Sequence, residues 1–168
     1  DKDVPDGEIG EVITRGDHVM RGYYGQAGSD ASTVKAVRDG WLHTGDLGRI
    51  DHGDHLFLVD RKGDMIISGG YNIYPREIED VIAEVPGISE VAVVGVSDVE
   101  WGQRVTAVVT VNPGATIDED AVREHCANRL AAYKKPKEIR FVDSFPLNST
   151  GKIAKKVLRE ELESENSG

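Results

Sequence analysis

Asp60-Arg61-Lys62-Gly63-Asp64-Met65-Ile66-Ile67-Ser68-Gly69-Gly70-Tyr71-Asn72-Ile73-Tyr74-Pro75-Arg76-Glu77-Ile78-Glu79 is the stretch where the pattern of this chain changes. It opens polar and glycine-containing, passes through a short apolar run and two adjacent glycines, and ends on a proline standing where a helix begins. Before it, short strands and glycines dominate. Residues 9–14, 47–50 and 56–59 alternate or are apolar, and Asp51-His52-Gly53-Asp54-His55 reads as the turn between the last two. Residues 29–38 are predicted as a short helix capped by Ser29 or Asp30.

Beyond the stretch the period changes. Residues 65–67 read as a strand, and Ile78, Val81, Ile82 and Val85 recur at helical spacing until Pro86-Gly87 stops them. Residues 91–96 and 105–111 are nearly continuous in Val and Ala, as strands buried on both faces are. Asp118 is expected to cap a second helix reaching about Ala132. A short strand over 139–142 and a last helix over 154–162 complete the order. This predicts an α+β fold: a compact C-terminal unit over 65–163, with a small sheet and helices, preceded by a β-rich part over 1–60. Residues 61–64 read as a hinge and 164–168 as a tail.

The 168 residues are 30% charged and 39% apolar, a soluble, globular composition. A formal net charge of −10 argues against nucleic acid or an anionic membrane as the main partner. No apolar run approaches the ~18 residues of a membrane span, and the first seven residues do not read as a signal peptide. The single Cys126 allows no internal disulfide and suits a reducing, cytoplasmic setting. Asn148-Ser149-Thr150 is formally a glycosylation sequon, read here as chance. A strand pattern begins by residue 9, so a fragment of a larger protein is expected, its partner the N-terminal domain of the same chain.

Four features bear on chemistry. Asp46 after Gly45 can accept hydrogen bonds from a ribose, and Arg61 can hold the same sugar from another side. Lys152, in the turn Pro146-Leu147-Asn148-Ser149-Thr150-Gly151-Lys152, can deliver a point charge to a phosphate. A nucleotide P-loop is excluded, because Pro146 stands five positions before Gly151 and Ile153 replaces the Ser or Thr. Ser68-Gly69-Gly70 lacks dinucleotide-binding spacing, but its glycines permit close backbone approach. Trp101 and Tyr133, with Lys134, Lys135 and Lys137, bring aromatic faces and cations into loops. His52 and His55 among Asp51 and Asp54 read as a hairpin tip, and no metal site is expected.

Gly40-Trp41-Leu42-His43-Thr44-Gly45-Asp46, followed by Arg61 and the Lys152 turn, resembles the adenylate-forming, AMP-forming ligase superfamily, acyl-CoA synthetases in particular. The resemblance runs from about residue 7 to residue 162. It implies the mobile C-terminal lid domain of such an enzyme with the last β-rich subdomain of its N-terminal domain attached. Asp46 and Arg61 then match residues that bind the ATP ribose, and Lys152 the lysine that meets the acyl carboxylate and α-phosphate. Gly69 and Gly70 match the loop lining the pantetheine tunnel; Trp101 and Tyr133 match aromatics around the CoA adenine, with Lys135 near its phosphates. Gly63 falls at the pivot, where relatives usually carry Asp or Lys. The implied substrates are CoA, ATP with Mg2+, and a carboxylic acid, with wording closest to fatty-acyl and malonyl-type ligases. The fragment alone is expected to be inactive. An adenylation domain serving a carrier protein, a luciferase-like oxygenase and a non-catalytic CoA- or nucleotide-binding module remain the alternatives.

Overall fold

A computed structural model of the chain describes residues 2–23 and 31–166. Its internal contacts divide it into two units, Asp1–Gly63 and Asp64–Gly168. In the first unit the ten-residue strand β3 (Trp41–Ile50) is the spine. One of its edges pairs antiparallel with β1 (Gly10–Thr14); the other takes β2 (Val37–Arg38) at its start and β4 (Leu56–Arg61) at its end. The short helix α1 (Ala31–Ala36) precedes β2, and Ser29 and Asp30, its expected caps, lie outside the described residues. Asp51 closes the β3–β4 turn, its Oδ1 accepting from the backbone N–H of Gly53 at 2.9 Å and of His55 at 3.1 Å.

The second unit begins with a small hairpin, β5 (Ile66–Ser68) and β6 (Tyr71–Ile73), turning on Gly69 and Gly70. Tyr74 is extended, as a residue before proline must be, and Pro75 occupies the first turn of α2 (Pro75–Ala83). The long strands β7 (Ile88–Asp98) and β8 (Gly102–Val111) form an antiparallel hairpin. Helix α3 (Glu119–Ala127) crosses over to β9 (Glu138–Phe141), which pairs parallel with β8, and α4 (Lys155–Glu165) ends the fold. The architecture is α+β, as the order of elements predicted.

Alternation along β7 and β8 sends successive side chains to opposite layers. Val93, Val105, Ala107 and Val109 join Ile78 and Ile82 of α2 and Val122 and Cys126 of α3 in one core. Ala92, Val94, Val96 and Val108 meet Phe145, Leu158 and Leu162 in the other. Both strands are therefore buried on both faces, as their Val-rich runs implied. Ile78 and Ile82 have no exposed surface, and burying each stabilises the fold by about 1.5–3 kcal/mol.

Several boundaries differ from expectation: residues 37–38, expected at the end of the first helix, form β2 instead, because they pair with Trp41 and Leu42 of β3. The helix capped by Asp118, whose Oδ1 accepts from the Ala121 N–H at 2.9 Å, stops at Ala127 rather than Ala132. Asn128 turns its side-chain amide back to the Glu124 carbonyl, and Leu130 leaves the helical path to enter the core; a 3-10 turn, Ala132–Lys134, follows. Lys135 is extended because Pro136 follows it. The strand expected over 47–50 starts six residues earlier, at Trp41.

Candidate functional site

In the first unit the register of β3 against β4 sets Asp46 opposite Arg61. Arg61 Nε lies 2.9 Å from Asp46 Oδ1, and Arg61 is 68% exposed. An ion pair so open to water adds at most ~1 kcal/mol to stability, so its geometry counts for what it offers a ligand: a carboxylate and a guanidinium side by side. Thr44 fixes the approach, its hydroxyl donating to the Val12 carbonyl at 2.7 Å and accepting the Asp46 N–H at 3.0 Å. The next residue, Lys62, donates its N–H to the Gly45 carbonyl at 2.8 Å, and its ammonium lies 2.8 Å from Glu11. That bond, ahead of the contribution from His43, holds the Glu11 carboxyl below its ordinary pKa against the opposing effect of burial. Lys35, Arg38 and Lys62 line a cavity of about 570 Å³ with Glu11, His43 and Thr44. The predominance of cations suits an anionic ligand.

In the second unit Lys152 rides a tight hairpin. Leu147 and Ile153 pair across it, and Asn148 donates its N–H to the Lys152 carbonyl at 2.8 Å. Gly151 donates to the Asn148 carbonyl at 3.0 Å with φ of +77°, the left-handed position that closes such a turn. Asn148 Oδ1 also accepts from the Thr150 N–H, the Thr150 hydroxyl and the Lys152 N–H, at 2.9, 2.7 and 3.0 Å. The Asn of the sequon is thus the acceptor that shapes the turn. Ile153 packs against the core that buries Phe145, so both feet of the hairpin are anchored. Lys152 is exposed, and no carboxylate among the described residues pairs with it.

The Gly69–Gly70 turn meets both aromatic candidates. Gly69 donates its N–H to the Trp101 carbonyl at 2.9 Å, and a Cβ on Gly69 would lie 3.0 Å from the indole. Tyr71, just after the glycines, stacks on Tyr133 with ring centroids 4.5 Å apart. Trp101 is set by Asp98, whose Oδ1 accepts its N–H at 3.0 Å; this bond chiefly holds the Asp98 carboxyl below its ordinary pKa. The cations at the rings are Lys137, 4.3 Å from the Trp101 centroid, and Lys134, 5.7 Å from that of Tyr133. Burial works against the Lys134 ammonium, but its bonds to Glu77 outweigh this and raise its pKa. Lys135 is half-buried, its charge acting on the Cys126 thiol, and among the described residues it stands over neither ring.

Sequence reasoning singled out Asp46, Arg61, Lys152, Gly69, Gly70, Trp101, Tyr133 and the lysines Lys134, Lys135 and Lys137, but not Glu11, Asp98 or Tyr71, which the structure sets beside them. Only Asn148, at the first position of a turn with Gly at the fourth, left a local signal that could have been read.

The chain thus carries a lysine-bearing hairpin on an α+β unit with helices on both faces of its sheet, and a strand pair that sets Asp46 against Arg61. Residues 77–152 match the AMP-binding enzyme C-terminal domain. Over 155 residues it is 48% identical to 3-[(3aS,4S,7aS)-7a-methyl-1,5-dioxo-octahydro-1H-inden-4-yl]propanoyl:CoA ligase of Rhodococcus jostii, covering 92% of this chain and 30% of that protein. It is 45% identical over 152 residues to a long-chain-fatty-acid–CoA ligase of Mycobacterium tuberculosis (90% and 29%). It is 44% identical over 156 residues to a feruloyl-CoA synthase of Amycolatopsis (93% and 31%). The chain therefore spans about 30% of the length of these relatives. Among solved structures, ATP-bound MatB from Rhodopseudomonas palustris superposes with a TM-score of 0.86 at 41% identity, over 96% of this chain and 32% of that one. No helix among the described residues is long and apolar enough to cross a membrane.

Proposed function

We propose that this chain is the C-terminal part of a cytoplasmic acyl-CoA ligase that activates a carboxylic acid with ATP and passes it to CoA. The observation that carries the reading is the Lys152 hairpin: an exposed ammonium with no carboxylate partner among the described residues, on a turn braced by five hydrogen bonds through Asn148. A lysine held only for stability would gain little there. One held for a developing negative charge gains much.

In the first half-reaction a carboxylate oxygen of the acid attacks the α-phosphorus of ATP, delivered as its Mg2+ complex. The bond to pyrophosphate breaks, leaving an acyl-adenylate. Lys152 stabilises the charge built up between carboxylate and α-phosphate, while Asp46 and Arg61 hold the ribose hydroxyls. In the second, the CoA sulfur, its proton lost to solvent, attacks the acyl carbonyl and AMP leaves with the bonding electrons. Gly69 and Gly70 give the pantetheine arm close passage, and Trp101, Tyr133 and the neighbouring lysines, Lys135 among them, meet the nucleotide end of CoA. Gly63 is the pivot between the two half-reactions. Relatives named for long-chain fatty acids support fatty acids as the first substrates to assay, beside aromatic acids such as ferulate.

The test is Lys152→Ala in the full-length protein that carries this chain. Carboxylate-dependent ATP–pyrophosphate exchange should fall by ~10²–10³, the usual cost of one electrostatic stabiliser. Thioester formation from supplied acyl-adenylate should be spared. Equal damage to both steps would make Lys152 structural and remove the main support for the reading.

A further inference from the structure

Helix α4 starts in a way that local rules disfavour. Its N-cap, Ala154, makes no side-chain cap bond, its first turn holds no acidic residue, and its first two residues are Lys155 and Lys156. Two ammoniums there oppose the positive end of the helix dipole. Among the described residues Lys156 pairs only with Glu160 on the same helix, at 3.7 Å. Lys155 instead lies 2.7 Å from Glu79 Oε1, both side chains about four-fifths buried (20% and 18% exposed). The same oxygen accepts the Val93 N–H at 2.7 Å.

The geometry is a clamp. β7 is an edge strand, in a sheet ordered β7-β8-β9. Helix α2, which carries Glu79, packs in the core on one face of that sheet; α4, which carries Lys155, packs in the core on the other. Glu79 and Lys155 therefore meet around the free edge of β7, with Val93 as the third point. Lys155 lies three residues beyond Lys152, and Ala154, between them, donates its N–H to the Pro146 carbonyl at 2.8 Å. One foot of the lysine hairpin thus runs directly into the clamped residue.

We propose that Glu79 is a positioning residue for Lys152: through Lys155 it fixes the start of α4 and hence the hairpin that presents the ammonium. The inference rests on the adenylation role given above to Lys152. A pair serving only stability would weaken both half-reactions alike; a positioning pair affects the step that uses Lys152.

The experiment uses Glu79→Gln, which keeps an acceptor for the Val93 N–H but loses the charge, and Lys155→Met, which removes the pair from the other side. Both are made in the full-length protein, with Lys155→Arg as the conservative variant and Lys152→Ala as the control. In each of the two disruptive variants, pyrophosphate exchange should drop about tenfold in turnover, less than the ~10² that a 1 Å misplacement can cost. KM for ATP and thioester formation from supplied adenylate should stay within about twofold of the parent, since neither reports this step. Amide hydrogen exchange at Gly151 and Lys152 should quicken, and Lys155→Arg should restore both readouts. Equal loss in both half-reactions, or unchanged exchange turnover in both disruptive variants, overturns the proposal. If Lys152→Ala cripples adenylation while these variants do not, this inference alone falls. If Lys152→Ala spares adenylation, the functional reading falls first.

Discussion

Replacing Gly69 by alanine, with Gly70→Ala as its partner experiment, separates backbone cost from loss of a binding surface. Both glycines have left-handed φ, +56° and +83°. An L-residue there costs ~1–2 kcal/mol, so each variant should be less stable by about that much, or roughly 4–8 °C per kcal/mol in a unit of this size. Their surroundings differ. A Cβ at Gly70 meets nothing within 4 Å, whereas one at Gly69 would lie 3.0 and 3.2 Å from Trp101 Cε3 and Cζ3. Carbon atoms prefer about 3.5–4.0 Å, so the indole must retreat by roughly half an ångström. Its backbone cannot follow easily, held by the Asp98 carboxylate at 3.0 Å and the Gly69 N–H at 2.9 Å. The ring tilts instead. Stacking on a base is worth ~1–3 kcal/mol, and losing half of it would raise KM for CoA up to about tenfold in Gly69→Ala. Gly70→Ala should leave that KM nearly unchanged, and pyrophosphate exchange should be intact in both. Steady-state kinetics of the full-length protein with varied CoA decides the matter. Equal KM effects in the two variants, or none in either, would refute the placement of Trp101 against CoA.

Other outcomes follow from single features. Gly63→Pro should uncouple the half-reactions, because proline fixes φ near −65° and restricts Lys62; parallel assays of exchange and thioester formation both at parental rates would place the pivot elsewhere. Ile82→Ala, at a position with no exposed surface, should destabilise the second unit by ~2–5 kcal/mol, read from urea midpoints. The Glu11 carboxyl, lowered chiefly by Lys62, binds its proton less readily folded than unfolded. Its stabilisation is therefore complete above the unfolded value of 4.5 and disappears as pH falls through the lower folded value. Denaturation midpoints in acid should fall less steeply for Glu11→Gln than for the parent.

Elements built on strong local periods were legible in the sequence. The 3.6 spacing of Ile78 and Ile82 gave α2, Asp118 gave the start of α3, and unbroken Val and Ala gave β7 and β8. The start of β3 was hidden because residues 41–46 are all half-buried and show no alternation. Strand β6 has three residues, two of them exposed, and offers no period at all. The site divides in the same way. Lys152 and Asp46 stand in recognisable wording, but Tyr71 meets Tyr133 and Lys137 meets Trp101 only through tertiary packing, and no spacing rule connects them. The clamp is of the same kind, since Glu79 and Lys155 come from helices on opposite layers.

That clamp also bears on solubility. The middle of β7, Val91-Ala92-Val93-Val94-Gly95-Val96, has no charge and no proline, and it lies at the edge of its sheet. An exposed strand of that composition is a template onto which a strand of another molecule can add, the first event of fibrous aggregation. The Val93 N–H is occupied by the Glu79 carboxylate, and Lys155 sets a second charge beside it. Such charges act as gatekeepers, denying a foreign backbone its bond at the centre of this uncharged edge segment.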